Sequence, residues 1–413
     1  MKRERVITDT SRARFLACPR RYDFEVVRMQ EREKPGFSRS REFDDSAREM
    51  LAAFELLRGW GIEYREAAIG ACGSELLRLA GEDERRREAI ESALAVVLRY
   101  ARKHEDDLRG VATDGDLPIV AHPVSTPLLV PCRSCGGLGC ESCSQLREAG
   151  WRRATPWQYR TVLDSAVWIN GEPWLVVRRF TGGSDVAEIR DGLGYRFDDL
   201  GQLWAFSKLI DATPRGILYD VIRRSAPSEP KTIKCRKCNG SGTMDPATGE
   251  VCPACDGTGV GGISKAACDT DLSTWWEVAR RYPHLDTDAL KDEHAEQLQR
   301  IRSRGDSFSF RVARAVDPEE IVEWRREAYE VAKEIERCER SGSWRRNHLA
   351  CKAPGRRCPF RSICAKHDVT LSDRLSFATT ENPAALDAWR PRIGVEIGHN
   401  MIEKLIYEHG EPR

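Results

Sequence analysis

Apolar positions recur at helical spacing through the first hundred residues, switch to alternation near residue 117, and return to helical spacing in the C-terminal third. Behind Ser11, a residue suited to cap a helix, ARFLACPRRYDFEVV begins the first helical stretch. SAREMLAAFELLRG then keeps an apolar stripe as far as Gly59, so residues 8–60 read as helical. Residues 74–108, which include ESALAVVLRYARKH, read as one further amphipathic helix with charges on its outer face. PIVAHPVSTPLLV, QYRTVLDSAVWI and PWLVVRRFTG predict three strands, the last two joined by Asn170–Gly171, a pair that favours a two-residue hairpin turn. FDDLGQLWAFSKLI predicts a helix and RGILYDVIRR a fourth strand. TDLSTWWEVARRY and PEEIVEWRREAYEVAKEIERCERSG predict helices, and the last forty residues read as a peripheral appendage. Helix, three strands, helix and strand in that order describe an α/β (α+β) core.

The composition narrows what such a core can be. A chain of 413 residues with 40% hydrophobic and 32% charged residues has room for two or three domains, or for one elaborated core with insertions, and a polar exterior. Formal net charge is only +1, so any nucleic-acid site must be a local patch rather than a global field. MKRERVITD is polar with no apolar stretch behind it, and nothing approaches the length of a membrane span, which predicts a cytoplasmic protein with no membrane partner. Fifteen cysteines fall mostly in CxxC pairs or in one C-terminal array, a metal-binding pattern rather than a disulfide framework.

Two cysteine modules interrupt the core. Cys235, Cys238, Cys252 and Cys255 form CxxC…CxxC with CNGSG and CDGTG following each pair. Each CxxC is a knuckle that folds back on a metal, and the glycines permit the turn. Cys132, Cys135, Cys140 and Cys143 repeat the arrangement with four residues between the pairs. Four thiolates suit structural zinc, either within each module or with knuckles exchanged between the two. The modules are expected to be autonomous knobs outside the sheet, serving as a docking finger for nucleic acid or protein, or simply stapling a loop that has no core of its own. The CxxCxGxG repeat resembles the zinc module of DnaJ chaperones over the second insertion only, and nothing around it resembles a J-domain.

A third set is incomplete by itself. CKAPGRRCPFRSIC supplies Cys351, Cys358 and Cys364, one ligand short of a tetrahedral ion or an iron–sulfur cube. Cys18, in SRARFLACPRRYDFEVV, is the best fourth ligand, and the pairing would clasp the N-terminal segment to the C-terminal one.

Three stretches together resemble the PD-(D/E)XK nuclease superfamily, in the iron–sulfur branch of RecB-type and CRISPR-associated exonucleases and their phage relatives. Ser11 to Tyr22 is similar to that branch's opening motif, RTVLDSAVWINGEPWLVVRRFTGG to its catalytic hairpin, and WRRNHLACKAPGRRCPFRSIC to its closing cysteine motif. Gln202 and Phe206 are similar to the family's Q-x3-Y. The resemblance implies a restriction-endonuclease-like core with a mixed central sheet flanked by helices, and a 4Fe–4S cluster on Cys18, Cys351, Cys358 and Cys364, with zinc the alternative there. It also implies DNA as partner, single strands or ends included, and magnesium or manganese if the site is active. The hairpin departs from the family pattern. Asp164 stands where the first carboxylate belongs, but Arg178 replaces the second acid and Phe180 the lysine. Arginines repel a cation and suit phosphate, so Arg178 and Arg179 are candidate nucleic-acid contacts. A rescue of cleavage would need migrated groups: Glu172, Lys208 or Gln202, with Asp198 and Asp199 nearby.

These signals divide the chain into an N-terminal helical region (1–116) with the first cluster cysteine and a nuclease-like core (117–233) interrupted by the first module (131–145). The second module (234–262), the C-terminal helices and cysteine array (263–370) and a tail (371–413) follow. Three functions stay open: a DNA-processing exonuclease, a catalytically dead DNA-binding relative, and a zinc-ribbon interaction scaffold on a dead nuclease-like core.

Overall fold

The computed structural model describes residues 5–27, 30–32, 37–62, 65–104, 110–114, 117–143, 150–183, 185–194, 196–245, 247–304, 307–352, 358, 360, 364, 377–379 and 393–409. The chain divides into two compact units, Met1–Arg178 with Asp191–Asp220 and Val312–Arg413, and Arg179–Arg190 with Val221–Arg311. The second unit gathers the second cysteine module and the helices after it into one body, a grouping that apolar spacing does not signal.

Strand β1 (Arg5–Ile7) leads into α1 (Asp9–Ala17). Thr8, not Ser11, is the N-cap. Thr8 Oγ1 accepts the Ser11 N–H at 3.1 Å while Ser11 Oγ accepts the Thr8 N–H at 2.8 Å, a reciprocal capping box. Both residues are good caps, and only the reciprocal bond distinguishes them. After α2 (Pro19–Tyr22) and β2 (Gln30–Arg32) comes α3 (Arg39–Gly59), whose buried face includes Glu49, Glu55 and Arg58 among its apolar residues. The single helix expected over 74–108 is two, α4 (Arg65–Ala80) and α5 (Glu84–Lys103). Gly81, at φ 57°, turns the chain, and Asp83 Oδ1 caps α5 by accepting the Arg85 and Arg86 N–H groups.

Short strands β3 (Gly110–Val111), β4 (Thr113–Asp114) and β5 (Leu117–Pro118) precede the long β6 (Val120–Pro131), β7 (Trp151–Ile169) and β8 (Glu172–Thr181). The β7–β8 ladder runs from Ser165↔Val176 to Ile169↔Glu172 and closes through Asn170 and Gly171 at φ 52° and 79°, the positive-φ pair that a tight hairpin requires. Next come α6 (Val186–Gly194), α7 (Asp199–Leu209) and β9 (Gly216–Arg223). The second unit then contributes β10 (Thr232–Lys234), β11 (Thr243–Asp245), β12 (Glu250–Val251), β13 (Val260–Ile263), α8 (Leu272–Arg280), α9 (Thr287–Glu293) and α10 (Ala295–Ser303). The chain finishes with β14 (Ser309–Ala315), α11 (Pro318–Ser341), α12 (His348–Lys352), β15 (Phe377–Thr379) and α13 (Ile393–His409). The central sheet has the order β1-β7-β8-β9-β14, with β3 and β6 also paired to β7. It is mixed, since β1 joins β7 in parallel and β6 and β8 join it antiparallel.

Within the first unit, Tyr159, Trp204 and Trp324 pack their rings 4.8–5.8 Å apart and join β7 to α7 and α11. Gly201 makes this approach possible, because a Cβ there would lie 2.3 Å from the Trp324 ring and 2.5 Å from Tyr159 Oη. Arg12 is buried over the Trp324 ring and paired with Asp198 and Glu327, which fixes α1 to the core. The tail is not wholly peripheral: in α13, the Gly394 N–H donates to Glu49 Oε2 at 2.8 Å and Ile402 is buried with Ala53 and Leu56 of α3. Trp275 is fully buried among Ala279, Leu290 and Leu298 in the second unit, a core residue rather than a stacking platform. No helix among the described residues is long and apolar enough to cross a membrane.

Asp9 couples this packing to pH. Burial pushes its carboxyl up to about 7, against the Tyr159 hydrogen bond and the Arg12 charge that favour ionisation. A raised carboxyl pKa means that the folded state binds the proton more tightly, so this contribution is full below pH 4 and is lost as pH rises through about 7. The unfolding free energy from urea titration is therefore expected to fall between about pH 4 and about pH 7, and Asp9→Asn to flatten that fall.

Candidate functional site

At the hairpin, α3, β7 and β8 bring charges together in the core of the first unit. Arg178 is 2% exposed, and its Nη2 lies 3.0 Å from Glu55 Oε1, on an α3 residue that is itself 2% exposed. Nη1 donates to the Asp164 carbonyl at 3.2 Å and Nη2 to Ser165 Oγ at 3.4 Å. Where the β7–β8 ladder stops, Asp164 Oδ2 accepts the backbone N–H of Arg178 at 2.8 Å, so the carboxylate replaces a ladder bond. Glu55 Oε2 also pairs with Arg58 at 2.6 Å. Asp220 of β9 is buried and accepts from Tyr100 of α5. Burial works against the Arg178 charge, but Glu55 and Asp164, then Tyr100 and Asp220, more than offset it and hold the guanidinium protonated above its usual range.

This arrangement turns Arg178 inward. A guanidinium closed between Glu55 and Asp164 is not presented to a phosphate, so the expectation that Arg178 contacts nucleic acid loses its geometric basis. Arg179 is half-buried at the next position. Glu172 is exposed in the turn, 3.8 Å from Arg215 and five strand residues, or about 17 Å at 3.4 Å per residue, from the level of Asp164. Gln202 is half-buried and Lys208 exposed on α7. Glu55, Arg58, Tyr100 and Asp220 were not signalled as site residues. Glu55 was legible in principle, as a charge inside the apolar stripe of AAFELL.

The two cysteine quartets each close on themselves. In each, one sulfur per residue lies within 4.8 Å of all the others, and knuckles are not exchanged between modules. In the first, Cys132–Cys140, Cys135–Cys143 and Cys140–Cys143 sulfurs are 4.0, 3.7 and 3.5 Å apart. In the second, Cys235–Cys252 and Cys238–Cys255 are 4.0 and 3.7 Å apart. A tetrahedral ion with metal–sulfur bonds of about 2.3 Å holds its sulfurs roughly 3.8 Å apart, so both quartets fit such an ion. Gly242 explains the CxGxG spacing: at φ 80° its missing Cβ would lie 2.3 Å from Gly257 O, so the two glycine runs cross where only glycine fits. Burial raises the Cys238 thiol, but N–H groups of Gly242 and Gly240 outweigh it and bring the thiol down to about 6.

The first module is not an autonomous knob. Its Cys132 N–H donates to Gly150 O at 2.7 Å, and Arg326 Nε of α11 donates to Gly136 O at 2.8 Å. Trp151 of β7 lies against Gly137, and the Arg325 guanidinium lies over that ring at 3.8 Å. The second module, by contrast, buries its four cysteines as a separate cluster between the β10–β13 and β11–β12 hairpins.

The N- and C-terminal cysteine segments come together in the first unit. Arg20 N–H donates to Arg345 O at 3.0 Å, Asn347 Nδ2 to Ala17 O at 2.7 Å, and Tyr22 stacks on Trp344. Cys358 and Cys364 pack on Phe24 and Phe360. Burial pushes both thiols up, and Cys18 and Cys351 lie near enough to push each up further. The four do not form a group within 4.8 Å, as the two quartets do. The arginines between them, Arg356, Arg357 and Arg361, lie outside the described residues. Cys72 and Cys338 are buried singletons, and Cys268 is half-buried.

No family model matches the chain, and no curated protein matches it.

The different anchoring of the two modules has a thermal consequence. Cys143→Ser is expected to lower the melting temperature of the first unit, by about 2–4 °C per kcal/mol lost, because a metal in that quartet would cross-link the loop that Arg326 and Trp151 anchor to α11 and β7. Cys255→Ser is expected to release the second module's metal and leave the first unit's transition in place, as followed by calorimetry with metal analysis.

Proposed function

We propose that the chain is a non-cleaving nucleic-acid-binding protein on a nuclease-like core, with zinc in both cysteine quartets and a 4Fe–4S cluster in the clasp. The observation that carries the non-cleaving part is Arg178: its guanidinium pairs with the Glu55 carboxylate and donates to the Asp164 carbonyl, and the Asp164 and Asp220 carboxylates lie near enough to hold its charge. In a hydrolytic site of the resembled kind, carboxylates so placed would hold a divalent cation. Here a cation belonging to the chain takes their charge, and no lysine follows it on β8.

Zinc in the quartets is supported by their separations and all-sulfur donors. A cluster in the clasp is supported by four thiols near enough for Cys18 and Cys351 to act on Cys358 and Cys364, on segments that meet from the two ends of the chain. The cluster would be held by Cys18, Cys351, Cys358 and Cys364, and its contribution would be to tie α1 and α2 to the segment after α11. A second reading, a protein-interaction scaffold, is favoured by Ile233, Met244 and Val251, which are about half exposed on the second module.

Anaerobic purification with iron, sulfide and zinc analysis, joined to a magnesium- and manganese-supplemented cleavage assay, tests the proposal. The expected protein is brown, carries zinc in both quartets, and loses iron with Cys18→Ser while keeping zinc. It binds DNA without cutting it. Metal-dependent cleavage abolished by Asp164→Ala would overturn the non-cleaving reading, and zinc in place of iron at the clasp would overturn the cluster.

A further inference from the structure

In the first knuckle of the second module, Lys231, Lys234, Arg236 and Lys237 fall within seven residues, and all four are exposed. No acidic residue occurs between Glu229 and Asp245, and Glu229 is engaged by Arg281 at 2.8 Å. Among exposed arginines elsewhere in this unit, Arg281, Arg304 and Arg190 each have an acidic or aromatic neighbour. The facing strand supplies none: β10 pairs with β13, whose sequence is VGGI, and Gly262 lies opposite Ile233. The Lys234 stem lies over Gly240 of the knuckle turn, where a Cβ would stand 3.1 Å from it, so its ammonium is carried on the knuckle. The acidic residues of the module lie in its later half: Asp245 and Glu250 are exposed and face each other across β11–β12, and Asp256 is exposed on the second knuckle. The module is thus a dipole, with a basic first knuckle and an acidic later half.

We propose that residues 231–237 form a docking surface for the phosphate backbone of a nucleic acid. This deepens the function proposed above and rests on it. The array spans at most about 20 Å of extended chain, which matches a linear polyanion rather than a single phosphate group. Lysines and an arginine on a strand and knuckle, with only Ile233 for apolar contact and no aromatic ring, read charge and not base identity. The surface is therefore expected to be sequence-tolerant and salt-sensitive. It also assigns the nucleic-acid contact to exposed cations, whereas Arg178 is buried in an ion pair.

The test is fluorescence anisotropy of a labelled single-stranded DNA with the full chain, across a salt series. It compares the wild type with a variant carrying Lys231→Glu, Lys234→Glu, Arg236→Glu and Lys237→Glu, and with a control carrying Asp245→Lys and Glu250→Lys. Zinc content establishes that each variant keeps its module. The expected result is at least tenfold weaker binding for the basic-knuckle variant. Its salt slope should be shallower by roughly 0.7 per lost phosphate contact, and the control should bind no more weakly than wild type. Wild-type binding that the four reversals leave unchanged, with zinc retained, overturns this inference alone. A wild type that binds no nucleic acid overturns the function proposed above and this surface with it. Displacement of the DNA by poly-glutamate at equal charge would assign the surface to an acidic peptide instead, also against the proposal.

Discussion

A guanidinium buried against one carboxylate and one strand carbonyl is the contact on which the first unit's arrangement depends. Arg178 comes from β8, Glu55 from α3, and Asp164 from the end of the β7–β8 ladder, so the helix is tied to the hairpin by charge as well as by packing. α3 in turn receives α13 through Glu49 and Ile402. A buried ion pair is weak evidence for net stability, because desolvation offsets much of the attraction, but removing one partner alone is costly. The pair therefore acts as a register device: α3 has one favourable position on the hairpin, and that position gives the Glu55 carboxylate to the chain's own cations, Arg178 and Arg58.

The cysteines solve a different problem. The loop between β6 and β7 and the segment after β9 are rich in glycine and poor in large apolar side chains, so neither can bury a core of its own. Sulfur quartets with separations suited to one ion supply the missing cross-links. The first is also wired into β7 and α11, through Gly136, Gly150 and Trp151. The same pattern of residues therefore has two structural meanings. In one unit the quartet is part of the core; in the other it carries an exposed, dipolar surface.

Much of this was legible from spacing alone. Asn170–Gly171 fixes its hairpin because few other residues adopt two successive positive φ angles, and CxxC pairs with following glycines define their quartets for the same steric reason. Helix α13 was missed because its apolar residues follow a stretch with no periodicity, and β14 because SFRVARA alternates with arginine. The break between α4 and α5 is carried by Gly81 and Asp83, which a long amphipathic window averages away. The inward turn of Arg178 could not be read, because a lone arginine on a strand is equally compatible with a solvent-facing phosphate site. Its meaning depends on Glu55, more than a hundred residues earlier in the chain.

The coupling between Arg178 and Glu55 is thus the quantity to measure. A double-mutant cycle by urea unfolding, with Arg178→Met, Glu55→Gln and the two combined, isolates it. The account predicts that Arg178→Met alone costs about 3–5 kcal/mol, because Glu55 stays buried with Arg58 as its remaining ion-pair partner among the described residues, and that adding Glu55→Gln restores part of the loss. If Arg178→Met alone prevents folding, the double variant should still fold. Additive effects, with Arg178→Met costing under about 1 kcal/mol as an exposed pair would, would contradict it.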